Sequence, residues 1–181
     1  MSDDPLPRVL DFRKAAQREV SVTGMVKPAQ LPRLRALLAG DAGTVRVGAD
    51  FFRDDEGRNR VALRIRAGLR LQCQRCLGDF DSELSSESEL AAVADDSQAR
   101  LLPASLEPVI VDGELDLWQL VEEELVLAVP PFPRHADPAC LRTLTDGGMM
   151  AEAPPAEAPA RDNPFEVLAQ LKQGRDPQQG E

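Results

Sequence analysis

From Asn59 to Gln72, the apolar residues Val61, Leu63, Ile65, Ala67, Leu69 and Leu71 fall at every second position. A spacing of two is that of a β-strand with one dry face and one wet face, because successive side chains point to opposite sides of a pleated sheet. The wet set carries Arg60, Arg64, Arg66 and Arg70. After Cys73-x2-Cys76 a partner strand is predicted to start at Phe80, with Phe80, Leu84, Leu90 and Ala92 on even positions and Asp81, Glu83, Glu87 and Glu89 on odd ones. The cysteines therefore tip a hairpin. Pairing Leu71 with Phe80 on the buried face places Arg70 opposite Asp81 and Arg64 opposite Glu87, within cross-strand reach.

Around this hairpin the pattern predicts a short strand between Glu19 and Val26, then a helix from Pro28 to Ala39 on the spacing of Leu31, Leu34, Leu37 and Leu38. A strand over Thr44 to Arg53 follows, and the polar, glycine-terminated Asp54-Asp55-Glu56-Gly57 suits a hairpin connection. Residues 94 to 107 read as a loop and Val109-Ile110-Val111 as a short strand. A helix from about Asp116 to Ala128 has Leu117, Trp118, Val121, Leu125 and Ala128 on its apolar face and Glu122, Glu123 and Glu124 over much of the rest. Pro130, Pro131 and Pro133 stop it. The expected fold class is α+β, an antiparallel β-sheet domain with a few helices over residues 8–142. A flexible Ala/Pro-rich linker is expected over 143–162. Asn163-Pro164-Phe165-Glu166 then opens a short docking helix over 163–173, with an N-cap, a proline at the first helical position and an acid soon after.

The 181 residues suit one core of ordinary size plus tails. Six Phe, one Trp and no Tyr leave Leu and Val to supply most of the burial. The start of the chain has no basic and apolar leader, and no apolar run approaches about 18 residues, so a cytoplasmic location without membrane contact is expected. The net charge of −10 conceals an uneven distribution, with a basic excess up to residue 80 and a strong acidic excess beyond it. Such a chain can present a basic face while staying soluble.

All three cysteines and the only histidine lie in two clusters, Cys73-x2-Cys76 and His135-x4-Cys140. An odd number of cysteines argues against a disulfide framework. Zinc takes thiolates and neutral imidazole tetrahedrally, and three Cys with one His would close its shell, leaving no open position for water activation. The expected cofactor is one structural zinc ion held by Cys73, Cys76, His135 and Cys140, tying the hairpin tip to the segment after the Glu-rich helix. The bland alternative is that Cys73 is a small core residue. Thioredoxin-like redox chemistry wants the pair at a helix N-terminus, whereas here it lies between strands. A Cys140–His135 nucleophile pair lacks a glycine-rich oxyanion segment.

Arg58, Arg60, Arg64, Arg66, Arg70 and Arg75 make a stripe with no acid between residues 58 and 76. Nucleic-acid phosphates are plausible ligands for it, since each guanidinium can bind phosphate in a bidentate way. The competing reading is a sheet face neutralised by the acids of the next strand. Stacking aromatics are missing from the stripe, which argues against base readout in single strands. Glu122, Glu123 and Glu124 point about 100° apart on a helix, so they are expected to cover a solvated face and not to share a metal ion.

Several ordered segments resemble the YceD family, the large ribosomal RNA subunit accumulation proteins of bacteria and plastids. They are Leu71-Gln72-Cys73-Gln74-Arg75-Cys76, Glu107-Pro108-Val109-Ile110-Val111, Gly113-Glu114-Leu115-Asp116-Leu117, Glu122 to Pro130, His135-x4-Cys140 and Asn163-Pro164-Phe165 with Val167, Leu168, Ala169, Leu171 and Lys172. The resemblance implies a non-enzymatic ribosome-biogenesis factor supporting synthesis, processing or stability of 23S rRNA. It implies contact with ribosomal RNA or precursor large-subunit particles, direct or through a processing protein. It carries over no catalytic residues, and the zinc expectation rests on the spacing alone. Two other classes compete: a zinc-stabilised adaptor binding a basic protein without contacting RNA, and a hydrolytic RNA enzyme.

Overall fold

The computed structural model describes residues 4–141. The linker expected over 143–162 and the helix expected over 163–173 lie outside the described residues. Strand β1 (Val9–Asp11) runs into α1 (Phe12–Gln17), followed by β2 (Ser21–Val26), a 3-10 turn (Pro28–Gln30), α2 (Pro32–Arg35), β3 (Gly43–Arg53) and β4 (Asn59–Gln72). Then come β5 (Asp79–Val93), α3 (Asp96–Ala99), β6 (Glu107–Ile110), β7 (Glu114–Asp116), α4 (Leu117–Ala128) and a last 3-10 turn (Pro138–Leu141).

The main sheet has five strands in the order β2-β3-β4-β5-β6, and β1 pairs with β7 in a separate antiparallel ribbon. The alternation on β4 sets the rest. Val61, Leu63, Ile65, Ala67 and Leu69 are buried on one face, against Phe12 of α1, Leu34 of α2 and Leu117, Val121 and Leu125 of α4. Phe12 and Phe51 meet edge to face, with ring centroids 5.2 Å apart. This is the expected α+β class. The register across β4 and β5 is also as read from the sequence: Leu71 opposes Phe80, Arg70 opposes Asp81 and Arg64 opposes Glu87. One edge differs from an antiparallel plan, because β6 runs parallel to β5. The connection between them crosses over through the α3 turn instead of forming a tight hairpin.

Three local features have identifiable causes. The helix expected over Pro28–Ala39 is broken into the 3-10 turn and the four-residue α2. Pro32 lacks an amide hydrogen and disfavours helical backbone at Leu31, which sits at φ −115° and ψ 88°. Helix α1 carries only six residues, too few to repeat an apolar period, and is fixed by the Asp11 carboxylate accepting from the Lys14 amide. Gly24 is a close-approach glycine: a Cβ there would lie 2.8 Å from the Leu6 Cα, where the N-terminal segment crosses β2.

The three consecutive glutamates of α4 do diverge, but they do not form a solvated face. Glu122 is 6% exposed. Its Oε1 accepts from the backbone amides of Arg33 at 2.6 Å and Leu34 at 3.2 Å. Those are orphan donors at the start of α2, which has no side-chain cap of its own. Glu123 pairs with Arg33, and Glu124 accepts from the Ser86 hydroxyl of β5. The run therefore pins α4 to α2 on one side and to the sheet on the other. No helix among the described residues is long and apolar enough to cross a membrane.

Because Glu122 satisfies two inward-facing amides, Glu122→Ala is expected to lower stability by about 1–3 kcal/mol in urea unfolding. Glu122→Gln keeps a carbonyl acceptor and should lose less than half as much.

Candidate metal centre

β4 delivers Cys73 with the inward parity of its strand, and the chain then turns within six residues into β5. The turn is held by its own backbone: the Cys73 amide donates to the Gly78 carbonyl at 2.9 Å, and the Leu77 amide to the Cys73 carbonyl at 2.9 Å. Leu77 takes a left-handed φ of 61°. That conformation favours glycine, and it lets the Gly78 amide point back at the Cys76 sulfur. Gly78 thus serves the knuckle one position beyond the left-handed residue, with Leu77 absorbing the strain.

The second half arrives from the far side of α4. The Gln74 amide donates to the Pro133 carbonyl at 2.8 Å, joining the turn to the proline segment. Asp137 caps the Pro138–Leu141 turn by accepting from the Ala139 amide at 2.7 Å, and this presents Cys140 inward. The imidazole of His135 lies against the Phe80 ring at 4.8 Å, with Nδ1 3.4 Å from the Cys76 sulfur. The four expected ligands are therefore brought together, their donor atoms all within 4.8 Å of one another. Ligand atoms of a tetrahedral zinc site stand roughly 3.8 Å apart at a 2.3 Å Zn–S bond. The set needs only about an ångström of contraction to fit. Cys73 and Cys76 are buried, and Cys140 and His135 are half-buried.

Electrostatics favour a cation at this point. Burial pushes the Cys73 thiol up, but the backbone amides of His135, Cys76 and Arg75 and the His135 ring together bring it down to about 5. Cys76 moves the other way. The Gly78 amide lowers it, yet burial and the neighbouring Cys73 and Cys140 leave it raised. Adjacent sulfurs resist ionising together until positive charge joins them.

Part of that charge is Arg75, which sequence reasoning placed in the phosphate-binding stripe. Its guanidinium instead turns into the cluster. It donates to the Cys140 sulfur from Nε at 3.0 Å and Nη2 at 2.9 Å, and to the carbonyls of Asp137 at 2.6 Å and His135 at 3.2 Å. Three thiolates around one divalent ion would carry a net negative charge, which this guanidinium is placed to offset. The signal was available in the sequence only as an arginine between two cysteines.

The rest of the stripe is largely paired. Arg58 bridges Asp54 at 2.8 Å and Glu56 at 2.6 Å. Arg60 binds Glu89 and lies over the Phe52 ring. Arg64 binds Asp50, and Arg70 reaches Asp79 at 3.8 Å. The opposed pairs Arg64/Glu87 and Arg70/Asp81 are thus in register, while the ion pairs form on diagonals, which long side chains can span. Among the described residues, Arg66 has no carboxylate partner. The Cys73–Cys76 turn sits between two strands and not at a helix N-terminus.

A family model described as "Large ribosomal RNA subunit accumulation protein YceD" matches residues 61–172, a span that contains all four candidate ligands. The curated protein of that name from Haemophilus influenzae is 32% identical over 170 residues, covering 93% of this chain and 97% of the relative. No solved structure matches the chain.

Arg75→Met in the metal-free protein should release the His135–Cys140 segment. Losing charge-assisted hydrogen bonds worth about 1.5–3 kcal/mol predicts a rise of about tenfold or more in labelling of Cys140 by a disulfide reagent. Arg75→Lys should fall between the two.

Proposed function

The chain belongs to the YceD family, and from that membership we propose that it is a non-enzymatic factor supporting the synthesis, processing or stability of large-subunit (23S) ribosomal RNA. It acts in the cytoplasm, on ribosomal RNA or precursor large-subunit particles, directly or through a processing protein. The observation that carries the reading is the match to a relative named for large ribosomal RNA accumulation along nearly the whole of both chains.

In this reading Cys73, Cys76, His135 and Cys140 hold one structural zinc ion. Support comes from the soft donor set, the confinement of its atoms within 4.8 Å and the guanidinium beside it. The bound ion supplies a closed four-ligand clamp and no reaction centre, since such a shell has no position for an activated water. A clamp fits an accumulation role because it fixes a surface without turning over a substrate. The chain's only imidazole and all its thiols are committed to it. The clip closes a loop from Cys76 to His135, so the ordering of two distant segments is met once, on metal binding, and then retained.

Deleting the gene should lower the ratio of large- to small-subunit ribosomal RNA or raise large-subunit precursors, with recovery when the wild-type gene is returned. Unchanged ratios and precursors in the deletion strain would remove the proposal. Protein purified without chelator should carry about one equivalent of zinc. Cys76→Ser should carry little and melt at a lower temperature. Less than about half an equivalent in the wild type, with unchanged melting of Cys76→Ser, would sink the clamp.

A further inference from the structure

The open face of the sheet holds one arrangement that its ion pairs leave unexplained. Arg46 of β3 lies directly opposite Arg66 of β4 in the ladder. Like charges in opposed positions repel, and nearly every other arginine on this face has been given a carboxylate. Arg46 and Arg66 are both exposed and, among the described residues, neither has an acidic partner. The next rung of the ladder pairs Gly48 with Arg64. A Cβ on Gly48 would meet nothing within 4 Å, so the missing side chain leaves a hollow. It measures about 290 Å³ and is lined by Thr23, Gly48, Arg46, Arg64, Arg66 and Glu87.

We infer that this hollow is a phosphate-binding site for the RNA backbone, with Arg46 and Arg66 as its principal cations. Two opposed guanidiniums over a glycine floor offer paired donors to a tetrahedral anion, and an anion between them relieves their repulsion. Thr23 supplies a hydroxyl at the rim. Glu87 and the other acids of β5 bound the hollow on one side, which directs a polyanion along β3 and β2 and away from the hairpin edge. Phe52, an aromatic ring on the same face, is already covered by Arg60 at 5.3 Å. Base stacking is therefore absent from the recognition. The contact is to sugar-phosphate, indifferent to sequence and strongly salt-dependent.

The inference rests on the reading that the protein serves ribosomal RNA, and its test is independent of the deletion phenotype. Binding of the full chain to a fluorescent RNA oligonucleotide is measured across a salt series, for wild type and for Arg46→Gln/Arg66→Gln. The double variant should lose about tenfold or more in affinity at low salt, and its log–log salt slope should fall by about two. A control with the same charge change on α1 and the residue that caps it, Arg13→Gln/Arg18→Gln, should lose much less. Melting temperature separates a binding defect from misfolding: with a repulsive pair removed, the Arg46/Arg66 variant should be at least as stable as wild type. Equal binding by the variant and the wild type overturns the site while leaving the ribosomal RNA reading in place. So does a wild type that fails to bind RNA at about 100 µM, the weak end of non-specific affinities. Selective binding of polyglutamate in place of RNA also overturns it, assigning the face to an acidic protein.

Discussion

Backbone pairing of β4 on both edges is the interaction on which the other elements depend. Its left-hand partner β3 is in register from Gly43/Leu69 to Arg53/Asn59, and its right-hand partner β5 from Arg60/Ala91 to Gln72/Asp79. A one-residue slip on either side would exchange Val61, Leu63, Ile65, Ala67 and Leu69 with the arginine set and place charge against α4. The register is therefore protected by the desolvation cost of burying guanidinium groups as well as by hydrogen bonds. With it fixed, the turn between β4 and β5 can begin only at Cys73, and the two sulfurs of the knuckle have no choice of position.

The hairpin is longer than the core that supports it. Leu71, Cys73 and Cys76 are buried, yet they stand outside the main apolar cluster, which ends along β4 at Leu69. On β5 the inward residues of this end, Phe80, Ser82 and Leu84, are only half-buried. A two-stranded extension of this kind is marginal in water without a covering layer. Ala39 reaches this end of β4 through its amide on the Arg70 carbonyl, and the segment from Pro133 to Cys140 lies over the turn. That segment has little apolar surface and is attached through Gln74, Arg75 and the sulfur–imidazole cluster. A small polar layer fastened by the Arg75 guanidinium lies at this end, where helices cover the rest of the sheet.

How much of this was legible in the sequence depended on whether a residue's partner was implied by periodicity. The β4–β5 register could be read because both strands alternate over many residues and only one phase buries Leu71 with Phe80. The grouping of Cys73, Cys76, His135 and Cys140 could be read because those residue types are rare in the chain and share one chemistry. Glu122 could not, since its partners are the backbone amides of Arg33 and Leu34 and a backbone amide leaves no mark in the sequence. The diagonal choice of Asp50 by Arg64 over the opposed Glu87 depends on sheet twist and side-chain reach, which a pairing diagram does not contain. Arg46 was missed for a related reason. On its own strand it is an ordinary wet-face residue, and it becomes unusual only when β3 places it against Arg66.

The positions of the two charged sites relative to β4 imply that they can be lost separately. The knuckle hangs from the end of the strand that projects past the core, whereas Arg66 sits between Ile65 and Ala67, both buried in the main cluster. Its rung is held on one side by β3 and on the other by Ser85 of β5. Opening the cysteine–histidine cluster frees the Pro133–Cys140 segment from Cys73 and Cys76, and the ladder can fray from that end. Fraying stops where apolar burial begins to outweigh the freed chain entropy, which on β4 is Leu69. The arginine pair lies three residues inside that limit. The cysteine–histidine cluster therefore governs the tip and the segment after α4, while the core under the sheet keeps Arg46 and Arg66 opposed whether or not that cluster is closed.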